Sequence, residues 1–408
     1  MHNIIFFLII IIPVSGYIVQ RYLEYLNSKM WSPVLPEKLK GICDEEEYRK
    51  SQMYQKENKV LSFWSSTFNI VVLVGIIVTG GFAMLDNVVR TLSGNMIIIS
   101  LIFFGIILLA SDLINIPFNW YDSFVIEKKF GFNTMTLRTF ITDRIKSWFI
   151  ALLVGVPVLG LITWFYYRTG PVFWLYAWIL ITIFSAFMNL FYSELIVPLF
   201  NKQTPLEEGV LREMIEKFAE KTGFRLKNIY VIDGSKRSTK ANAYFSGFGP
   251  RKRIVLFDTL FNELTNEEIV AVLAHEIGHY RKKHVLKNLI SSILLTGLML
   301  FLFSLVVNNP MLSSAMGAKF TSFHIGLIVF GILYSPLSLV IGLISNYFSR
   351  KNEFQADNFA KEHFKPDVLA SALKKLSVRN LSNMLPHPVY VFFHYSHPPL
   401  LKRLEKLE

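Results

Sequence analysis

The chain has 408 residues, 52% hydrophobic and 15% aromatic, and only 18% are charged, where a soluble domain carries about 25%. A formal charge of +12 with no RNA- or DNA-binding motif excludes nucleic acid as the partner and points to topology signals beside membrane spans. The lone Cys43 excludes an intrachain disulfide and any Cys-x-x-Cys site, so a metal would have to rest on His and carboxylates.

In chain order, seven stretches approach the roughly 20 apolar residues that cross a bilayer core. They are 3–22, 67–85, 95–115, 147–167, 171–196, 286–307 and 323–347. The first has no basic segment ahead of it and no clear Ala-x-Ala site after it, so it reads as a retained span and not a signal peptide. Loop charge predicts orientation. The first loop carries Arg21, Lys29, Lys38, Lys40, Arg49, Lys50, Lys56 and Lys59; the third carries Lys128, Lys129, Arg138, Arg144 and Lys146. The short loops between carry one each, Arg90, Arg168 and Lys319. The positive-inside rule then puts the N-terminus outside, with both polar regions and the C-terminus cytoplasmic.

The polar regions are 201–285 and 348–408. The first opens on an amphipathic helix near 206–222, with Leu211, Ile215, Phe218 and Ala219 on one face. Three strand-like runs follow, over 229–232, 243–245 and 253–257, with Gly247, Gly249 and Pro250 marking the turn between the last two. The expected domains are 1–200 (five spans and their loops), 201–285 (a cytoplasmic catalytic region), 286–347 (two spans) and 348–408 (a C-terminal catalytic region). The fold class is predominantly α, a seven-helix membrane bundle with a small β-sheet.

The strongest chemical signal is His275-Glu276-Ile277-Gly278-His279. His residues at i and i+4 lie one above the other on a helix, so both imidazoles can reach one metal, and the Glu between them can take a proton from water. A helix is expected here independently: Thr265-Asn266-Glu267-Glu268 reads as a capping box before an apolar run. A catalytic zinc takes three protein ligands and leaves one position open. Glu353 is the candidate third ligand, with Asp357 one turn on to orient an imidazole. An exposed, charged juxtamembrane helix explains that spacing equally well.

His275-Glu276-x-x-His279 with Glu353-x-x-x-Asp357 resembles the gluzincin metallopeptidase site. More narrowly, the chain resembles the type I CAAX prenyl endopeptidases. Segments 124–128, 131–133, 233–238, 241–245 and 254–260, and His397-Pro398-Pro399, match in that family's order. The resemblance implies seven tilted helices around a water-filled chamber, capped on the cytoplasmic side by one zinc on His275, His279 and Glu353. It makes Glu276 the general base, and His397 a support for the oxyanion, although a turn residue before two prolines reads the same. Asn242, with Ala243 and Tyr244, would hold substrate main chain along an edge strand. Arg403 is a further candidate, for the substrate's carboxylate end. The expected partners are a peptide or prenylated peptide and the lipid bilayer; the oligomeric state is not legible. Of the other histidines, none is assigned to metal: His284 reads as interfacial, and His324, which opens the last span, like the rest as structural or solvated.

The tail, Arg403-Leu404-Glu405-Lys406-Leu407-Glu408, has no obvious retrieval signal. With the short chain, this suggests a bacterial inner-membrane homologue, or the endoplasmic reticulum if the source is eukaryotic. Two rivals remain: a general membrane quality-control metalloprotease, and a seven-helix transporter or receptor with structural zinc.

Overall fold

The structure is a computed structural model that describes residues 2–224, 228–246 and 253–407. Helices dominate. By length and apolarity, six stretches among the described residues can cross a membrane: Ile4–Ser28, Glu45–Val78, Met96–Glu127, Leu137–Phe200, His284–Val306 and Phe323–His363. Seven were expected, and the difference lies in Leu137–Phe200, which takes in both 147–167 and 171–196. Within it the helix Val156–Thr169 stops at Gly170, whose φ of +56° with ψ of −130° favours a residue without Cβ, and a new helix starts at Phe173. Phe165 packs on Tyr176 and Tyr166 on Phe173, so the two helices fold back on each other.

Other boundaries move for local reasons. The second span starts far upstream of 67, at Glu45, where Asp44 and Glu47 form a reciprocal capping box, and it ends at Val78 before the Thr79–Gly80 turn. The membrane helices keep their apolar faces outward, as at Val71, Leu108 and Ile183, each about two-thirds exposed to what would be lipid.

The polar regions form one body around a four-stranded sheet. Its strands are β1 (Gln203–Pro205), β2 (Asn228–Ile232), β3 (Ala243–Ser246) and β4 (Arg253–Phe257), in the order β1-β2-β4-β3. β2 and β4 run parallel, while both outer pairs are antiparallel. The expected runs match β2–β4; β1 is additional, and the turn glycines Gly247 and Gly249 with Pro250 lie outside the described residues.

The helix Asn266–Arg281, which carries the His-Glu-x-x-His motif, is the core of this body. Its N-terminus is the predicted capping box: Thr265 Oγ1 accepts from Glu268 N, and Glu268 accepts from Thr265 N at 2.9 Å. Ile269, Val270, Leu273 and Ile277 are fully buried against Ile215 and Phe218, strand residues Ile254 and Leu256, and Phe359 of the long helix Phe323–His363. Each such side chain contributes about 1.5–3 kcal/mol by leaving water.

Gly278 sets the spacing between the motif helix and the long helix. A Cβ there would meet the backbone of Ala356, Cα and O at 3.0 Å, and Phe359 Cβ at 3.1 Å, atoms with little freedom to retreat. Gly278→Val is expected to cost about 1–3 kcal/mol by overpacking, read as a lower unfolding midpoint in detergent. An unchanged midpoint would show that the two helices tolerate separation.

Candidate active site

The close approach at Gly278 brings His275 and His279, on adjacent turns of the motif helix, against Glu353 of the long helix. His275 Nε2 and His279 Nε2 are 3.2 Å apart. Glu353 Oε1 lies 3.2 Å from His279 Nε2, and Oε2 lies 3.4 Å from His275 Nε2. These three residues are the group able to hold a metal ion among the described residues. A tetrahedral ion with ligand bonds of about 2.0–2.1 Å holds its ligands about 3.3 Å apart, which is the spacing found. Glu353 Oε2 is buried without a well-formed hydrogen bond, an acceptor that a cation would satisfy. The donor set fits a metal.

Behind His275 stands Asp357, whose Oδ1 is 2.8 Å from His275 Nδ1. Arg403, on the terminal helix Leu400–Leu407, grips Asp357 through Nη2 at 2.6 Å and Nε at 2.9 Å. Burial disfavours the charged form of His275, but the hydrogen bond to Asp357 and the facing Glu353 carboxylate outweigh it and push the imidazole up to about 9. Burial likewise opposes the charge on Arg403, and the hydrogen bond to Asp357 more than restores it, holding the guanidinium above its ordinary value.

The cluster opens into a cleft of about 630 Å³, lined by Asn242, Ala243, Glu276, His279, His397 and Arg403 among others. Glu276 is partly exposed to it. His397 Nε2 is 3.3 Å from Glu353 Oε1, and its Nδ1 meets Ser396 Oγ at 3.0 Å.

Asn242 stands at the mouth of edge strand β3, its Oδ1 accepting from Ala243 N at 2.8 Å. Tyr244 does not line the cleft, because side chains alternate along a strand, and its ring packs against Phe257 instead. Arg403 does reach the site, but two of its three guanidinium nitrogens are committed to Asp357, so the geometry favours a structural grip over a grip on substrate carboxylate.

Two features escaped the sequence. His284, expected at an interface, is buried, with its Nδ1 3.1 Å from His279 Nδ1. No helical period connects residues five apart across a turn, so only the packing reveals this. The second is a tether for β3. Lys240 meets Glu127 Oε1 at 3.0 Å and Tyr54 OH at 2.9 Å, while Arg237 forks onto Asp143. Both bonds tie the segment leading into β3 to membrane-side helices.

Two family models match the chain: CAAX prenyl protease N-terminal, five membrane helices, over residues 24–202, and Peptidase family M48, over residues 205–408. The chain belongs to the CAAX prenyl protease family of M48 peptidases. It is 37% identical to CAAX prenyl protease 1 homolog of Arabidopsis thaliana, covering 100% of this chain and 97% of the relative. It is 36% identical to CAAX prenyl protease 1 homolog of Homo sapiens, over 92% of this chain and 88% of the relative. Among solved structures, the crystal structure of S. mikatae Ste24p matches with a TM-score of 0.95 and 35% identity, covering 99% of each chain. The protein is therefore a membrane metalloendopeptidase, and the transporter or receptor reading falls away.

The raised His275 predicts a pH signature once the CAAX-protease homologue is stripped of metal by chelation. Its folded pKa of about 9 lies above the ordinary 6.5, so the stabilisation is complete below about pH 6.5 and is lost as pH rises through 9. The unfolding midpoint of the chelated protein should fall over that interval. A midpoint that stays level or rises would show that His275 is not held as an imidazolium by its carboxylates.

Proposed function

We propose that this chain is a zinc endopeptidase that hydrolyses peptide bonds near the C-terminus of prenylated substrates. The observation that supports this best is the convergence of His275, His279 and Glu353 in a cleft that also holds Glu276 and is bordered by β3. The names of the relatives, CAAX prenyl proteases, support the substrate class.

His275, His279 and Glu353 would hold the zinc, which when bound supplies Lewis acidity to the scissile carbonyl and to a water within reach. Glu276 takes a proton from that water as its oxygen bonds to the carbonyl carbon. It then delivers the proton to the departing amine as the C–N bond breaks. His397, exposed at the cleft, donates toward the oxygen where negative charge develops. Asp357 orients His275, and Arg403 fixes Asp357. Substrate main chain adds to the edge of β3 beside Asn242 and Ala243, with Tyr244 supplying strand backbone.

The membrane architecture follows the same reading. The break at Gly170 would make Leu137–Phe200 two crossings, and the description of the N-terminal family model as five membrane helices supports that count. With His284–Val306 and Phe323–His363 the total is seven, and these would enclose the chamber that the resemblance implies. Loop charge puts the site on the cytoplasmic side of the bilayer that holds the chain, bacterial inner membrane or endoplasmic reticulum.

The test compares a farnesylated C-a-a-X peptide with its unprenylated twin in detergent. Wild type is expected to cleave the lipidated peptide preferentially, and Glu276→Gln to lose roughly 10²–10⁴-fold in kcat while keeping its zinc. Equal cleavage of both peptides would remove the prenyl requirement. Full activity in Glu276→Gln would remove the base.

A further inference from the structure

The two imidazoles of the cluster are backed by different chemistry. Asp357 and Arg403 back His275 with a charged pair. His279 has no carboxylate on its Nδ1 side; there it meets a second imidazole, His284 Nδ1, at 3.1 Å with the rings at 74°. His284 Nε2 in turn lies 2.9 Å from Gln355 Oε1, on the same long helix as Glu353 and Asp357. His284 is only 1% exposed.

An amide oxygen can only accept, so His284 Nε2 must carry the hydrogen that bridges to Gln355. In a neutral imidazole this leaves His284 Nδ1 as an acceptor, and His279 Nδ1 must then be the donor. His279 Nε2 is left with a lone pair, and it is the atom that faces His275 Nε2 and Glu353. The chain Gln355–His284–His279 therefore selects the metal-binding tautomer and holds the ring in orientation.

Local backbone supports the arrangement. His284 is the first residue of the helix His284–Val306, entered through Lys283 in the left-handed region at φ +59°. A Lys there carries strain that an ordinary loop would avoid. The turn falls immediately after the motif helix and sets His284 against the ring of His279.

We propose that His284 and Gln355 are positioning residues that preset His279 for zinc, a neutral counterpart to the Asp357–Arg403 pair behind His275. This rests on the reading of His275, His279 and Glu353 as a zinc site. Partners of this kind are worth roughly 10–100-fold in metal affinity.

The test is competition for zinc between a chromophoric chelator and the full-length protein in detergent. His284→Phe keeps the ring volume and removes the acceptor; it is expected to bind zinc roughly 10–100-fold more weakly. His284→Asn places an amide oxygen close to the position of Nδ1 and should recover most of that loss, which a purely packing role would not predict. Wild-type affinity in His284→Phe, or no recovery in His284→Asn, overturns the proposal. Should His284→Phe fail to fold, Gln355→Leu decides: weakened zinc binding supports the relay, and unchanged binding overturns it. Failure of wild type itself to take up zinc would instead overturn the zinc-site reading.

Discussion

Two helices must come within backbone contact before two imidazoles and a carboxylate can share one cation, and Gly278 packed on Ala356 is where they do so. The motif helix supplies both imidazoles and the long helix supplies the carboxylate one turn before that contact. The long helix has 41 residues, about 60 Å at 1.5 Å per residue, roughly twice the hydrocarbon thickness of a bilayer. One continuous helix thus begins among the membrane helices and ends in the catalytic body. The site is therefore anchored to the membrane bundle by a helix, with no loop between them.

That arrangement buries several charges together. Glu353, Asp357, His275 and Arg403 are all largely withdrawn from water, and each would be costly alone. They persist because each charge has an opposite one within hydrogen-bonding reach, and because the cluster is built around a position for positive charge. The raised His275 reports the same demand, since a proton is the simplest cation that two carboxylates can recruit. The neutral Gln355–His284–His279 chain adds orientation without a third buried carboxylate.

The sheet serves the site through its edge. β3 pairs with β4 on one side, and the segment entering it is tied through Arg237 to Asp143 and through Lys240 to Glu127. Glu127 ends a short π-helical turn, Asp122–Glu127, that continues the span from Met96. A register shift at this irregular turn swings a side chain off the regular helical face, and here Glu127 meets Tyr54 and Lys240. The strand beside Asn242 is thus positioned by the membrane helices as much as by the sheet.

Much of this was legible in the chain itself. Apolar runs of bilayer length, charge alternating between loops, and His275-Glu276-x-x-His279 behind a capping box are local patterns, and they fix spans, helix type and metal chemistry through short-range physics. Spacing alone left Glu353 and Asp357 balanced between ligands and an exposed charged face, because 74 residues separate Glu353 from His279 and only folding brings them together. Whether 137–200 reads as one stretch or two turns on Gly170, where one helix ends and the next begins. Tyr244 faces Phe257, Arg403 grips Asp357, and His284 reaches back to His279, all through contacts between elements distant in sequence or across a turn. The sequence determined which groups the protein would have for binding a metal and cleaving a peptide beside a bilayer. Tertiary structure alone decided which of those groups meet, because a hydrogen bond to a ligand's far nitrogen is a matter of ångströms that no periodicity encodes.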